Sequence, residues 1–254
     1  QAGAFDYLVK PFDLDRVSAV VARAVADRAA ASGGSDAGTE ADAGTPALVG
    51  TSPAMQEVFT RIALLAATDL PVLVTGGPGT GKELAARVIH ARSARCDGPF
   101  VATSLGALAA GAVEAELFGE VDRPGLLELA GRGTLLLDEI HAAPPAVQAR
   151  LARLLDAGTA ARIIAASDAD LGGLVAAGGF RADLHDRLRA GTLVMPALVA
   201  RLDDLALLAG HFLGRQATRM HHARAPALGA EFVAALRERP WPGNVRELRQ
   251  AVEF

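Results

Sequence analysis

The sequence predicts an α/β fold, a parallel sheet with helices on both faces, followed by a small all-helical unit. Three observations carry this. Helix and strand patterns alternate with short links from Leu48 to Met195, as in strands joined by helical crossovers. GTLLLDEI, Gly133 to Ile140, is apolar without alternation until its last residues, as in a strand buried on both faces. From Arg201 onward the β signal disappears and only helical spacing is left.

Length and composition set the outer limits. With 254 residues, 51% of them hydrophobic, the chain can bury a large core and is expected to hold more than one compact unit. A net charge of −4 and a pI near 5.9 leave no basic footprint, so DNA is expected to be gripped only by a region outside this chain. The single Cys96 excludes an internal disulfide, fits a reducing compartment and is expected to be buried or inert. No apolar run approaches membrane-spanning length and no signal-peptide pattern opens the chain, so the expected compartment is the cytoplasm, with no membrane partner.

In chain order, residues 1–30 give an apolar tract, Phe5 to Val9, then Lys10-Pro11 and a helical face of Leu14, Val17, Val20, Val21 and Val25. A lone strand and helix cannot form a core, so the segment reads as the tail of a larger domain. Residues 31–46, ASGGSDAGTEADAGTP, hold no large apolar side chain that would offset the entropy of ordering, and read as a linker. After Leu48-Val49-Gly50, Ser52 is placed to cap a helix whose first position suits Pro53 and whose stripe is Met55, Val58, Phe59, Ile62 and Leu65.

Next comes LPVLVTGGPGTGKE, Leu70 to Glu83, a buried strand from Pro71 to Thr75 feeding a glycine-rich turn. The spacing of Gly76, four residues, then Gly81 and Lys82 is that of the P-loop. In Gly76-Gly77-Pro78-Gly79-Thr80-Gly81 the glycines lack Cβ, so the backbone can turn successive N–H groups inward on an anion. Leu84, Ala85, Val88 and Ile89 mark a helix starting near Lys82, whose N-terminus would face the same phosphates. Lys82 supplies a charge for the β- and γ-phosphates. Of the 25 basic residues only Lys10 and Lys82 are lysine, so this position keeps lysine in a chain that otherwise uses arginine. Glu83 stands where a Ser or Thr hydroxyl would bind Mg²⁺, and a carboxylate there can hold the ion directly or through water.

Pro99 to Thr103 reads as a second strand and Val113 to Phe118 as a short helix. In GTLLLDEI the acids emerge at the carboxyl edge of the strand, where open α/β sheets bind ligands. Asp138 would hold Mg²⁺ through its water shell, and Glu139 would orient and polarise the attacking water. Two acids before a helix N-terminus is the plainer alternative, since Pro144-Pro145 opens a helix with Val147, Leu151, Leu154 and Leu155. Arg162 to Ala166 is a further strand ending in Ser167-Asp168, GGFRADLHDRL follows with Arg181 and Arg187, and Thr192 to Met195 is the last strand. The helical unit shows Leu202, Leu205, Leu208, Ala209 and Phe212, then Phe232, Val233 and Leu236, then Val245, Leu248 and Val252.

With GGPGTGKE, GTLLLDEI, FRADLHDRL and WPGNVREL in this order, the chain from Leu48 onward resembles the AAA+ central domain of bacterial enhancer-binding proteins, the sigma-54-dependent activators. WPGNVREL, Trp241 to Leu248, holds the only Trp and the only Asn of the sequence. Residues 1–30 resemble the last strand and helix of a receiver domain, with Lys10 and Pro11 at its lysine and cis-proline, so the whole is similar to a response regulator of the nitrogen-regulatory type. The resemblance implies an AAA+ P-loop fold with a receiver remnant (1–30), a linker (31–46), an α/β ATPase part (47–196) and a helical lid (197–254). It implies ATP and Mg²⁺, hydrolysis in a hexameric or heptameric ring of identical chains, RNA polymerase holoenzyme as partner, and a sensor histidine kinase acting through an intact receiver. It makes Glu83 the residue expected after the P-loop lysine. Val49 and Gly50 would line the adenine pocket, and Ser167 and Asp168 would read the γ-phosphate. Arg181 and Arg187 would reach a neighbour's nucleotide, Arg187 as the arginine finger. Arg246 would couple nucleotide to lid.

Three positions depart from the family pattern. Family members insert a loop with a GAFTGA motif after ELFG. Here ELFG ends at Gly119 and EVDRPGLLELAGR leads to Gly133, so the sigma-54 contact motif is absent. Ser104 replaces the asparagine that restrains the catalytic glutamate, and its shorter hydroxyl is expected to fall short of Glu139. Asp168 replaces a sensor asparagine and is expected to repel the γ-phosphate, so hydrolysis is expected to be slow or uncoupled. Two readings result: an ATPase that drives transcription as a ring, or a nucleotide-responsive, DNA-bound regulator that uses ATP for assembly and does not remodel sigma-54 polymerase.

Overall fold

The computed structural model describes residues 47–109, 111–220 and 228–253. The receiver-like segment and the linker lie outside the described residues. Among those described, five strands form one parallel sheet: β1 (Val72–Thr75), β2 (Phe100–Ser104), β3 (Thr134–Asp138), β4 (Arg162–Ser167) and β5 (Gly191–Val194). Their order across the sheet is β2-β3-β4-β1-β5. The ladder sets Val72 opposite Ile164, Thr75 opposite Ser167, and Ser104 opposite Asp138. The carboxyl ends of β1, β3 and β4 therefore share one edge, and the P-loop, the Asp138-Glu139 pair and Ser167-Asp168 leave the sheet there.

Strand side chains alternate between the two faces, and the core divides accordingly. Leu135, Leu137, Ile163 and Ala165 pack with Leu73, Val147, Leu151 and Leu184 on one side. Leu136, Ile164, Ala166, Val72 and Val74 pack with Met55, Ile62, Ala85 and Ile89 on the other. Burying β3 on both faces explains its unbroken apolar run. Helix α1 (Pro53–Ala66) begins as the sequence predicts: Ser52 is the N-cap, its hydroxyl accepting from the Met55 N–H, with Pro53 in the first turn. Helix α2 (Lys82–Ala91) follows the P-loop directly. Helices α3 (Val113–Phe118), α4 (Leu126–Ala130), α5 (Pro145–Ala157), α6 (Leu171–Ala176) and α7 (Ala182–Leu188) complete the α/β part.

A turn of 3₁₀ helix at Leu198–Asp204 leads into α8 (Leu205–Arg219), α9 (Ala230–Arg237) and α10 (Asn244–Glu253). These pack around Leu205, Leu208, Phe212, Leu236, Leu248 and the fully buried Trp241, a third cluster that Val49 joins. The indole N–H of Trp241 donates to Leu236 O at 2.8 Å, so the ring brings no unsatisfied donor into that core.

Some sequence expectations shift. β2 starts at Phe100 rather than Pro99, because proline has no N–H to give the ladder. β5 runs from Gly191 to Val194 rather than from Thr192 to Met195, although Met195 N still donates to Thr75 O. Leu126–Ala130, read as part of a shortened loop, is helical. The link before it is a tight turn in which Glu120 and Arg123 exchange both backbone hydrogen bonds. Cys96, expected to be buried or inert, is exposed in the turn after α2, on a surface that packing does not cover. Among the described residues no helix is long and apolar enough to cross a membrane.

Candidate functional site

The loop between β1 and α2 is an anion cradle built from backbone. Gly76, Gly79 and Gly81 hold φ of 146°, 72° and 101°, which turns the N–H groups to one side. Among the described residues, the N–H groups of Gly79, Thr80, Gly81, Lys82 and Glu83 take no protein acceptor. The carbonyls go the other way. Pro78 O accepts from Asn244 Nδ2 at 2.9 Å, Gly79 O from the N–H groups of Val245 and Arg246 at 3.1 and 3.3 Å, and Thr80 O from an Arg201 Nη at 3.1 Å. Gly79 has no room for a side chain, since a Cβ there would lie 2.2 Å from Gly243 O.

Lys82 folds back over this loop and donates to Gly76 O at 2.9 Å and Gly77 O at 3.0 Å. Burial lowers its pKa below the ordinary lysine value, against the pull of Asp168 and Asp138 and with Arg246 opposing them. The groups acting on it are Asp138 and Glu139 from the end of β3, Asp168 from the end of β4, and Arg246 from α10. Thus the structure brings Lys82, Asp138, Glu139, Ser167, Asp168 and Arg246 to one edge of the sheet.

Glu139 leaves β3 in the left-handed conformation, φ 53°, which a non-glycine residue adopts at a cost. Asp138 Oδ1 accepts from the Glu139 N–H at 2.9 Å. The Ser104 hydroxyl donates to Glu139 Oε2 at 2.5 Å, which corrects the expectation that serine would fall short. The paired register of Ser104 and Asp138 brings the two chains together, and Gly106 leaves the space, since a Cβ there would lie 2.5 Å from the same oxygen. Asp168, expected as an uncompensated anion, lies 3.8 Å from Nδ1 of His141, which also stands 3.3 Å from Ser167 Oγ.

Other predicted residues sit differently. Glu83 accepts two hydrogen bonds from Arg87 at 3.1 and 2.7 Å on the exposed side of α2. Leu84 is half-buried behind the loop. Val49 packs against the helical unit, and a Cβ on Gly50 would lie 2.7 Å from Met55 Cγ and 2.9 Å from Asp204 Oδ2, so the backbone there is closely enclosed. Arg181 and Arg187 lie on the outer surface at α7. Arg187 makes a bidentate pair with Asp156 at 2.6 and 2.5 Å and Arg181 one with Asp183 at 3.0 and 2.7 Å. Each carboxylate raises its arginine's pKa and is itself lowered.

Three residues to which the sequence reading assigned no role also belong to this site. Asn244 lies at φ 51°, buried, with its amide nitrogen on Pro78 O and its amide oxygen accepting from the Leu198 N–H at 2.8 Å. Its being the sole asparagine was the available signal. Arg201 is buried under the loop with one nitrogen against the Met55 sulfur, and burial lowers its pKa despite Asp204 nearby. His141 had no sequence signal beyond standing next to Ile140.

Comparison with known proteins gives one consistent neighbourhood. The family model described as Sigma-54 interaction domain matches residues 48–194, and that described as AAA+ ATPase lid domain matches residues 200–254. The chain is 39% identical to the transcriptional regulatory protein ZraR of Escherichia coli K12, over all of this chain and 61% of ZraR. It is 41% identical to the DNA-binding transcriptional regulator NtrC of Azospirillum brasilense, over 99% of this chain and 56% of that protein. The chain therefore spans little more than half the length of these relatives. Among solved structures, NtrX from Brucella abortus in complex with ATP superposes with a TM-score of 0.77 at 35% identity, over 99% of this chain and 58% of NtrX. The AMPPCP-bound replication initiator DnaA of Aquifex aeolicus, at 18% identity and TM-score 0.54 over 79% of this chain and 59% of DnaA, shares the fold alone.

Proposed function

The chain belongs to the Sigma-54 interaction domain family, with that family's AAA+ P-loop fold, and from this premise we propose that it binds and hydrolyses ATP as the central module of a transcriptional response regulator. The observation that carries the reading is the loop at residues 76–81: among the described residues the N–H groups from Gly79 to Glu83 take no protein acceptor, while the carbonyls of Pro78, Gly79 and Thr80 are held from the helical side. Such a loop presents donors to a polyphosphate with no rearrangement. Lys82 would exchange its two carbonyl partners for phosphate oxygens. Val49 and Gly50 would close on the base.

The donor set fits Mg²⁺ in the manner of phosphate-transfer sites. Mg²⁺ in such sites takes one or two carboxylates plus phosphate and water, and the carboxylate of Asp138 stands at the end of β3 on the side of Lys82. Asp138 would hold it, with Glu83 joining only if it leaves Arg87. The ion would neutralise charge on the phosphates. Glu139 would orient water, restrained by Ser104 until it turns. Ser167, Asp168 and Arg246 would border the γ-phosphate, with His141 beside Asp168.

Among the described residues, Arg181 and Arg187 complete no site in their own chain. In a ring, hexameric or heptameric, each would leave its carboxylate for the nucleotide of the adjoining copy. The domain limits given above, a receiver acted on by a sensor kinase, and contact with RNA polymerase in the cytoplasm are parts of the same proposal.

The tight turn at Glu120–Arg123 favours keeping the second reading, in which ATP drives assembly on DNA without remodelling sigma-54 polymerase. Mg²⁺-dependent phosphate release from ATP by the full chain at ring-forming concentration is expected, with Lys82→Ala at background. Equal release by both would overturn the enzymatic proposal. Promoter opening by sigma-54 polymerase with the longer protein would exclude the second reading.

A further inference from the structure

The helical unit does not merely lean over the nucleotide loop; it holds that loop by its backbone. Three successive carbonyls, Pro78, Gly79 and Thr80, are each bonded from outside the α/β part. Their donors are the Asn244 amide, the first N–H groups of α10, and Arg201 of the 3₁₀ turn. A peptide plane fixed by its C=O has its next N–H fixed as well, so these bonds set the direction of the donors of Gly79, Thr80 and Gly81.

Asn244 is the joint of the arrangement. Its side chain spans the P-loop and the hinge at Leu198, while its own N–H closes the turn on Trp241 O at 2.9 Å. Trp241, φ 48°, and Asn244, φ 51°, both adopt left-handed backbone that only a firmly determined turn sustains. The buried indole supplies that determination. A carboxylate would put an oxygen against Pro78 O, and a shorter side chain would not reach both segments.

We propose that Asn244 is a positioning residue that makes docking of the helical unit and formation of the phosphate-binding loop one equilibrium, separate from any contact Arg246 makes with nucleotide. By reciprocity, whatever nucleotide affinity gains from the docked unit, docking gains from nucleotide. This rests on the ATP reading above, and the experiment separates the two.

The test is amide exchange across α10 and residues 198–204 of the full chain, with and without Mg²⁺-ATP, beside ATP affinity. In wild type, nucleotide is expected to slow exchange in both segments. Asn244→Asp is expected to abolish that slowing and weaken ATP by about tenfold, the worth of one buried hydrogen bond, with exchange in β1, β3 and β4 unchanged. If Asn244→Asp does not fold, Asn244→Ser is read the same way. Nucleotide-dependent slowing at wild-type affinity in the folded variant would overturn the proposal. Failure of wild type itself to bind ATP would overturn the ATP reading beneath it.

Discussion

At the scale of single residues, the bond from Ser104 to Glu139 governs how ready the site is. A hydroxyl donating to a carboxylate stabilises its charge and fixes its direction, and hydrogen bonds to charged groups are worth about 1.5–3 kcal/mol. Ser104→Ala should therefore untie Glu139 and raise basal phosphate release several-fold, with ATP affinity unchanged; stopped-flow phosphate release and equilibrium binding check the two halves. Lys82, Asp138 and Glu139 were legible in the sequence because a P-loop and a buried strand ending in acids are local patterns. The reach of Ser104 was not, because it depends on the register of β2 against β3 and on the absent side chain at Gly106. The company of Asp168 was illegible for the same reason, since His141 leaves the sheet from a different strand.

At the scale of elements, the hinge at Leu198–Asp204 is tied to the start of α1. Asp204 is fully buried and accepts from the N–H groups of Thr51 and Ser52 at 2.5 and 2.8 Å and from the Ser52 hydroxyl at 2.6 Å. Burial pushes its carboxyl up, and these bonds more than reverse that, leaving the pKa below the ordinary value. A group depressed in the folded state contributes stability that is full above its unfolded value, about 3.9, and is lost as pH falls through the folded one. Asp204→Asn is thus expected to cost about 1.5–3 kcal/mol at neutral pH, and thermal melts should show the gap to wild type closing below about pH 4. Strands and long helices were readable from periods of two and of three to four residues. The 3₁₀ hinge was not, because its one non-helical residue, Arg201 at φ −140°, is held by tertiary bonds to Thr80 and Met55 that no local pattern encodes.

For the molecule as a whole, the parallel sheet and the helical unit were legible because the strands alternate with helical crossovers and because the β signal stops at Arg201. Arg187 does not face the cradle of its own chain; it is held by Asp156 on the outer surface. The pair faces solvent, which screens it, so a neighbouring polyphosphate, with its higher charge, would compete with the carboxylate for the guanidinium. Arg187→Ala is expected to lower ring-dependent hydrolysis by about 10³-fold or more while leaving ATP binding intact. Mixing it with Lys82→Ala should restore part of the activity, because each variant keeps what the other has lost; a mixture no faster than its components would place the arginine's role within its own chain. The exposed Cys96 gives such experiments an unplanned advantage. As the one cysteine of these 254 residues, on the turn just beyond the helix that starts at Lys82, it accepts a single maleimide dye on this chain without mutagenesis, so subunit exchange between differently coloured preparations can be followed by energy transfer.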